Sequence, residues 1–411
     1  MSELTKQIIE QECSALQAVA GVRVGTAAAG IKYQGRDDLL LMEITEDAEV
    51  AAVFTRNAFC AAPVVVAREH IAKSTPRYLL INAGNANAGT GQQGIDDSER
   101  CCDAVSELMQ CQSEAVLPFS TGVIGEYLPV DRMVENLPQA IGQLEENVWP
   151  SAANAIMTTD TVPKGVSRSA VIDGHKVTVS GIAKGAGMVC PNMATLLSFV
   201  ACDAALSNGL LQQLLKQAVE KTFNRITVDG DTSTNDACVL IATGQSGLPL
   251  IHSSDHPAYA QLLQLVTDVL EFLARAIIRD AEGATKLVNV TVKQGKEVSE
   301  CETVAYTIAH SPLVKTALFA SDPNWGRILA AVGRAGIADF EIDKVNIELN
   351  GVRIVTAGGR DNGYTEEQGK QAMAQDEIAI EVDLGRGDAE ANIWTCDLSY
   401  DYVKINAEYR T

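Results

Sequence analysis

The chain has 411 residues, enough for two to three domains and a large core. Hydrophobic residues make up 46% of it and aromatic residues only 5%, a composition typical of a soluble globular protein. The formal net charge of -21 argues against nucleic acid or an anionic membrane as the main partner, because both attract basic surfaces. The net charge does not exclude a small anionic substrate, since a few lysines or arginines are enough to make one pocket locally positive.

Two further features bear on location and metal content. Residues 1–16 carry early acidic side chains and lack the apolar centre of a signal peptide, and the apolar stretch 188–206 is interrupted by polar residues. The ten cysteines form no CxxC pair, and none of the five histidines stands in an HExxH or CxxxH spacing. Most of the cysteines are therefore expected to be small buried residues. We therefore expect a cytoplasmic, reduced protein without a metal site.

Short strand-like runs alternate along the chain with a few strong helices. Asn350-Gly351 lies within the alternating segment 345–355, a strong signal for a hairpin with a type I′ turn. The other predicted strands are Val64–Ala67, Tyr78–Ile81, Lys176–Ser180 and Val288–Val292.

Helices are predicted after Ser207, an N-cap residue, and from about Pro257 to a stop near Gly283, which brings Asp280 and Glu282 to the helix end. Residues 378–405 are predicted to be strands joined by glycine-rich turns. This mixture indicates the α/β class, with mixed layered sheets and helices, and domain boundaries that composition does not define.

Two motifs resemble ligand sites but depart from the required spacing. The GxGxxG match 89–94 does not follow its strand directly, as a dinucleotide fold requires, so we interpret it as an Asn/Gly-rich surface loop. The acidic segment 229–236 resembles a calcium loop, but Thr234 stands where glycine is needed and Leu240 where glutamate is needed. Neither segment predicts its ligand.

The segment Lys184–Phe199, KGAGMVCPNMATLLSF, is the most informative in the chain. A glycine-rich approach and a Pro191-Asn192 corner lead to Ala194-Thr195 at the head of an apolar strand. A threonine in an apolar strand is ordinarily a core residue whose hydroxyl bonds a carbonyl. Here, however, the hydroxyl stands where it can attack the preceding carbonyl, cut the chain and emerge beside a new N-terminal amine.

This segment closely resembles the processing site of the ornithine acetyltransferase (glutamate N-acetyltransferase) family of arginine biosynthesis. Further matches cover nearly the full length, among them NAGNANAGTG, LPFSTGVIG, IMTTDT, TVDGDTSTND, SDPNWGRI and INAEYRT. The resemblance implies a self-processing N-terminal-nucleophile fold that is cut between Ala194 and Thr195. It also implies an α-chain 1–194 and a β-chain 195–411, which remain together as an α2β2 heterotetramer.

The resemblance also assigns roles to individual residues. Thr195 is the nucleophile, and Thr121 and Gly122 of the STGVIG motif form the oxyanion hole. Whether Thr158 or Thr159 contacts substrate is left open. The substrate-binding residues that it implies are Thr158, Lys184, Thr195, Glu282, Asn406 and Thr411. The amine of a new N-terminus, with an unperturbed pKa of about 7.7–8.0, can accept the hydroxyl proton near neutral pH.

The implied reaction transfers acetyl from N2-acetylornithine to L-glutamate through acetyl-Thr195, in double-displacement kinetics and with no metal or organic cofactor. Use of acetyl-CoA as a second donor is left open. Leu196 departs from the methionine that often follows the nucleophile, a swap that conserves volume. The alternatives are a self-processing N-terminal-nucleophile aminopeptidase, which would hydrolyse amides without glutamate, and a catalytically silent amino-acid-binding protein, which would stay uncut.

Overall fold

The computed structural model describes residues 3–190 and 196–408. The helices of these residues are α1 (Glu3–Ser14), α2 (Ala62–Lys73), α3 (Gly91–Met109), α4 (Val130–Gly142), α5 (Trp149–Ala155), α6 (Asn208–Lys221), α7 (Pro257–Arg279), α8 (Val298–Ala309), α9 (Pro312–Phe319), α10 (Trp325–Gly333), α11 (Glu366–Met373) and α12 (Tyr400–Ala407).

The strands of the described residues are assigned to three sheets. They are β1 (Val22–Ala27), β2 (Leu39–Ile44), β3 (Glu49–Phe54), β4 (Tyr78–Asn85), β5 (Val116–Val123), β6 (Lys164–Ile172), β7 (His175–Lys184), β8 (Leu197–Cys202), β9 (Ala237–Ala242), β10 (Leu287–Gly295), β11 (Asn346–Leu349), β12 (Val352–Thr356), β13 (Gly359–Arg360), β14 (Glu377–Asp383) and β15 (Ala389–Cys396).

The chain divides into two compact units, each made of separate segments. The larger unit comprises Gln7–Asn224 and Thr232–Ile277, and the smaller one comprises Met1–Lys6, Arg225–Asp231 and Ile278–Thr411. These units do not follow the predicted division into 1–194 and 195–411. That division concerns a covalent cut, and it stays a prediction.

The larger unit contains two sheets, one with the order β1-β2-β4-β5 and one with the order β3-β9-β8-β7-β6. Their facing sides share one apolar core, in which the rings of Phe119 and Phe199 meet edge to face with centroids 5.1 Å apart. A second core lies on the outer side of the four-stranded sheet, against α3 and α4. Helix α7 packs on the other sheet so closely that a Cβ on Gly181 would lie 2.9 Å from Val269 Cγ1. The unit is thus built in α/β/β/α layers.

The smaller unit is built on a six-stranded mixed sheet with the order β13-β12-β11-β14-β10-β15. Its apolar core combines valines and isoleucines of these strands with residues of α8, α9, α10 and α11. The hairpin predicted at 345–355 is present: Asn350 and Gly351 have φ values of 46° and 77°, as a type I′ turn requires. Both units confirm the α/β class with mixed, layered sheets.

Two secondary-structure predictions are wrong. Val64–Ala67 lies in α2, because Pro63 favours the first turn of a helix and the buried positions recur at helical rather than alternating spacing. Residues 400–405, predicted as strand, lie in α12, whose N-cap Ser399 accepts a hydrogen bond from Tyr402 N–H. In both segments a residue that favours the start of a helix, Pro63 or Ser399, determines the structure more strongly than the β-branched residues that favour a strand.

The remaining predicted elements are confirmed. Strands β4, β7 and β10 contain the predicted runs, and the apolar face predicted for α6 is buried. Seven of the ten cysteines are buried, as expected of small apolar residues. Among the described residues, no helix combines the length and apolarity needed to cross a bilayer.

Candidate active site

Thr121 and Gly122 lie at the end of β5, paired in parallel with the end of β4. Gly122 has φ 135°, and a Cβ there would lie 2.2 Å from the carbonyl carbon of Gly84. Only glycine fits such a close approach of two backbones. At this strand end the register of the β4–β5 pair shifts.

Lys184 lies beside Thr121. It is the last residue of β7, and its half-buried side chain donates a hydrogen bond from Nζ to Thr121 Oγ1 over 3.1 Å. A hydroxyl has one proton and two lone pairs, so a hydroxyl that accepts from an ammonium group keeps its proton for another acceptor. Two residues that the sequence assigned to different tasks, oxyanion stabilisation and substrate binding, are therefore in direct contact.

Asp160 holds together the backbone around Lys184. Its buried carboxylate accepts hydrogen bonds from Lys164 Nζ at 2.7 Å, Gly185 N–H at 2.8 Å and Thr158 N–H at 3.0 Å. Burial opposes its ionisation, but the ammonium groups of Lys164 and Lys184 and these hydrogen bonds outweigh burial and hold the pKa of Asp160 well below its usual range. The predicted substrate residue Thr158 is fixed through its backbone, and its side chain is half-buried.

Asp236 is a second buried carboxylate of the larger unit. It precedes β9, and in the described part of the chain its Oδ2 has no hydrogen-bond partner. Burial raises the pKa of Asp236 well above its usual range, and a hydrogen bond from Ser233 and the charge of Lys184 only partly oppose this shift. Asp160 and Asp236 thus have opposite pKa shifts, which is typical of functional sites.

The predicted nucleophile and cut lie outside the described residues, because Ala194 and Thr195 fall in the gap between 190 and 196, and Thr411 lies beyond 408. The carbonyl of Leu196, the residue after Thr195, accepts a hydrogen bond from Ala237 N–H over 2.9 Å. Before the gap, Met188 has φ 52°, in the left-handed region that a side chain of this size rarely adopts.

Glu282 and Asn406, both predicted substrate residues, lie together in the smaller unit. Asn406 Nδ2 donates to Glu282 Oε2 over 2.7 Å and also to the carbonyl of Tyr402. A Cβ on Gly283, which has φ 69°, would lie 2.5 Å from Ser399 Oγ, so glycine lets the segment after α7 approach α12. The hydroxyl of Tyr402 donates to Asp229, the first residue of the calcium-like segment.

Sequence reasoning missed three buried polar residues of the larger unit, namely Asp160, Asn235 and Asp236. Each stands in a segment quoted for the resemblance, IMTTDT or TVDGDTSTND. A carboxylate four residues before a lysine was a signal for the pair of Asp160 with Lys164. Within the GxGxxG segment, residue 89 and residues 91–93 are exposed, as the surface interpretation predicts, although Gly91 already begins α3 rather than continuing a loop. Residues 82–88, just before this segment, are buried, and their asparagines donate to backbone carbonyls.

The fold and this arrangement define an α/β protein with a site suited to acyl transfer: hydroxyl and backbone donors at a strand end, an adjacent lysine and buried carboxylates. The family model described as "ArgJ family" matches residues 23–411. The chain belongs to the ArgJ family.

Relatives of high similarity carry the same family name. The chain is 58% identical over 394 residues to the arginine biosynthesis bifunctional protein ArgJ of Methylococcus capsulatus, covering 96% of each chain. It is 54% identical over 397 residues to the protein of that name from Pseudomonas syringae pv. tomato, covering 97% of this chain and 98% of that one.

Solved structures of similar proteins cover about half of the chain. The arginine biosynthesis bifunctional protein argJ of Bacillus halodurans is 39% identical, with a TM-score of 0.48, and the match covers 50% of this chain and 95% of that chain. The ornithine acetyltransferase of Mycobacterium tuberculosis complexed with ornithine is 34% identical, with a TM-score of 0.38, and covers 44% of this chain and 96% of that chain.

Proposed function

We propose that this chain is an acetyltransferase of arginine biosynthesis that moves the acetyl group of N2-acetylornithine to L-glutamate through an acetyl-Thr195 intermediate. Membership of the ArgJ family supports the pathway. The observation that carries the chemistry is the contact between Lys184 Nζ and Thr121 Oγ1 beside Gly122, because it frees a polarised hydroxyl donor at the end of β5.

The proposal divides the reaction into two acyl transfers. Thr195 Oγ attacks the acetyl carbonyl, and its proton passes to the α-amine of the same residue. The Thr121 hydroxyl and Gly122 N–H donate to the tetrahedral oxyanion. As the carbon–nitrogen bond breaks, the proton moves to the leaving amine of ornithine, and the amine of glutamate then attacks the acetyl ester by the reverse steps.

The same donors serve the proposed self-cleavage. Attack of Thr195 Oγ on the Ala194 carbonyl converts the peptide bond into an ester through a similar oxyanion, and water then releases the chains 1–194 and 195–411. Met188, held in the left-handed region shortly before the cut, supports a constrained approach to this bond. We further propose a cytoplasmic α2β2 heterotetramer, in line with the family resemblance.

Trapping the acetylated chain tests this function. The wild-type protein is mixed with N2-acetylornithine without glutamate, quenched in acid and weighed by mass spectrometry. We expect the 195–411 chain to gain the mass of one acetyl group and to lose it when glutamate is added. Absence of this species, or intersecting rather than parallel lines in initial-rate plots, would contradict the double displacement. Acetyl-CoA in place of acetylornithine tests the second donor.

The recognition of ornithine is proposed to rest on charge. Lys184 pairs with the α-carboxylate of the substrate, and Glu282, oriented by Asn406, pairs with the side-chain amine. Thr158, Asn406 and the terminal Thr411 supply neutral hydrogen bonds in this proposal.

Replacing Glu282 with glutamine is expected to lower kcat/KM for N2-acetylornithine by roughly 10- to 150-fold, because a hydrogen bond to a charged group contributes about 1.5–3 kcal/mol. The same variant should leave kcat/KM for N2-acetylnorvaline, which lacks the side-chain amine, near the wild-type value. The matched control is Glu367→Gln, on an exposed face of α11. Equal losses for both substrates would remove Glu282 from amine recognition.

A further inference from the structure

We propose that Asn235 is the positioning residue that sets the orientation of the Thr121–Gly122 oxyanion donors, an inference that rests on the proposed function. Its side chain is 6% exposed, and both amide hydrogens are used. Asn235 Nδ2 donates to Ala86 O over 2.6 Å and to Ser120 O over 2.9 Å. Its Oδ1 accepts from the Thr234 hydroxyl over 2.5 Å.

The bond to Ser120 O determines the direction of the adjoining amide. The carbonyl of Ser120 and the N–H of Thr121 belong to one planar peptide unit, so fixing the oxygen fixes the plane from which Thr121 and Gly122 continue. The oxyanion donors are thereby held by a side chain that lies outside their own strand. Preorganised donors of this kind act without reorganising during the reaction.

The bond from Asn235 to Ala86 O supplies a link between β4 and β5 where the strand pairing itself is irregular. The β4–β5 ladder is irregular at Gly84 and Asn85, directly beside Gly122. Ala86 follows this irregularity, and its N–H donates to Val123 O over 2.9 Å. Asn235 donates to the carbonyls of both Ala86 and Ser120, and so it connects the two strands where their own hydrogen-bond ladder is interrupted.

Asn235 also connects the donors to β8, the strand that follows the proposed nucleophile in the sequence. Two residues further along the chain, Ala237 N–H donates to the carbonyl of Leu196, the residue that follows Thr195 in the sequence. Strand β9 then pairs in parallel with β8 from Leu197 and Ala237 onward. The span 235–237 therefore links the proposed oxyanion donors of one sheet to β8 of the other.

A purely structural role would be shared by Asn87, which offers a matched control. Asn87 is fully buried, and its Nδ2 donates to Gly94 O over 2.8 Å and to Ser98 Oγ over 2.9 Å. It follows Ala86 in the chain, within the larger unit, but makes no bond to Ser120. Replacing either asparagine by aspartate removes amide donors at similar burial, so the pair separates positioning from stability.

The test compares Asn235→Asp with Asn87→Asp in the full chain. We expect Asn235→Asp to lower kcat for acetyl transfer by about 10²-fold, with KM for both substrates unchanged, because a displacement of about 1 Å costs that much. Self-cleavage, followed by mass during expression and storage, should slow as well, since it passes through a similar oxyanion. Asn87→Asp should lose thermal stability to a similar extent but keep the wild-type kcat.

Asn235→Ser, which is smaller and keeps one donor, serves if the aspartate variant does not fold, and its kcat should fall by a smaller factor. A wild-type kcat in a folded Asn235 variant, or a loss confined to KM, overturns the positioning role. Failure of the proposed function is distinguishable, because then the wild-type protein itself would neither be cut nor accept an acetyl group.

Discussion

The Thr195→Ala variant is expected to remain a single 411-residue chain and to lose acetyl transfer by at least about 10³-fold, as removal of a catalytic nucleophile does. Alanine has no hydroxyl to attack the Ala194 carbonyl, so neither the ester nor the new N-terminus forms. Without that N-terminus, the nitrogen proposed as the base remains part of a peptide bond and cannot accept a proton. One substitution thus removes both the nucleophile and its proton acceptor. Intact mass and a coupled transfer assay measure the two effects.

Two matched variants show whether the loss belongs to this hydroxyl. Thr195→Ser keeps a nucleophile and should still be cut. Ser198→Ala removes a buried hydroxyl of β8 that donates to Ile182 O, and it should be cut and active. A cut Thr195→Ala chain would place the nucleophile elsewhere, and an uncut but active wild-type protein would show that transfer does not need a free N-terminus.

The sequence predicted the fold class because periodicity and turn signals are local properties. The Asn350-Gly351 turn and the apolar face of α6 are both encoded within a few residues. Val64–Ala67 was misassigned because valine favours strands on composition alone, whereas Pro63 and the burial of every third or fourth position favour a helix. The order of strands in the sheets depends on contacts between distant segments, which no local pattern contains.

The site was predictable only in its residue types. The family motifs pointed to Thr121, Gly122 and Lys184, and the structure brings Lys184 to Thr121 across 63 positions of sequence. The motifs did not point to Asn235, whose hydrogen bond to Ser120 O spans 115 positions of sequence. By composition, an asparagine in a segment rich in Thr, Ser and Asn predicts only a loop. Its hydrogen-bond partners lie on distant segments and are known only once the two sheets are packed.

The second large effect concerns stability. Replacing Asp160 with asparagine is expected to lower the free energy of unfolding of the larger unit by about 3–5 kcal/mol, the cost of removing one partner from a buried ion pair. Lys164, whose side chain is fully buried, would be left without its carboxylate, and one oxygen acceptor would become an amide donor facing Lys164 or a backbone N–H. Urea unfolding measures the loss, and hydrogen exchange of β6 and β7 localises it.

The control is Asp131→Asn, which breaks the exposed pair with Arg100 and should cost no more than about 1 kcal/mol. The pH dependence gives a further check. Because the pKa of Asp160 is lowered in the folded state, its contribution is present above the unfolded value of about 3.9 and is lost as the pH falls through the folded value. The difference between wild type and Asp160→Asn should therefore narrow in acid.

A Lys164→Met change added to Asp160→Asn removes the unpaired charge and should restore part of the stability, since a buried pair is often replaceable by apolar groups. Restoration should be incomplete, because Gly185 N–H and Thr158 N–H also depend on the carboxylate. Full restoration would mean that Asp160 serves only to neutralise Lys164. If stability is only partly restored and acetyl transfer is still lost, Asp160 also fixes the backbone that places Lys184 beside Thr121. The same carboxylate would then contribute both to the stability of the larger unit and to its chemistry.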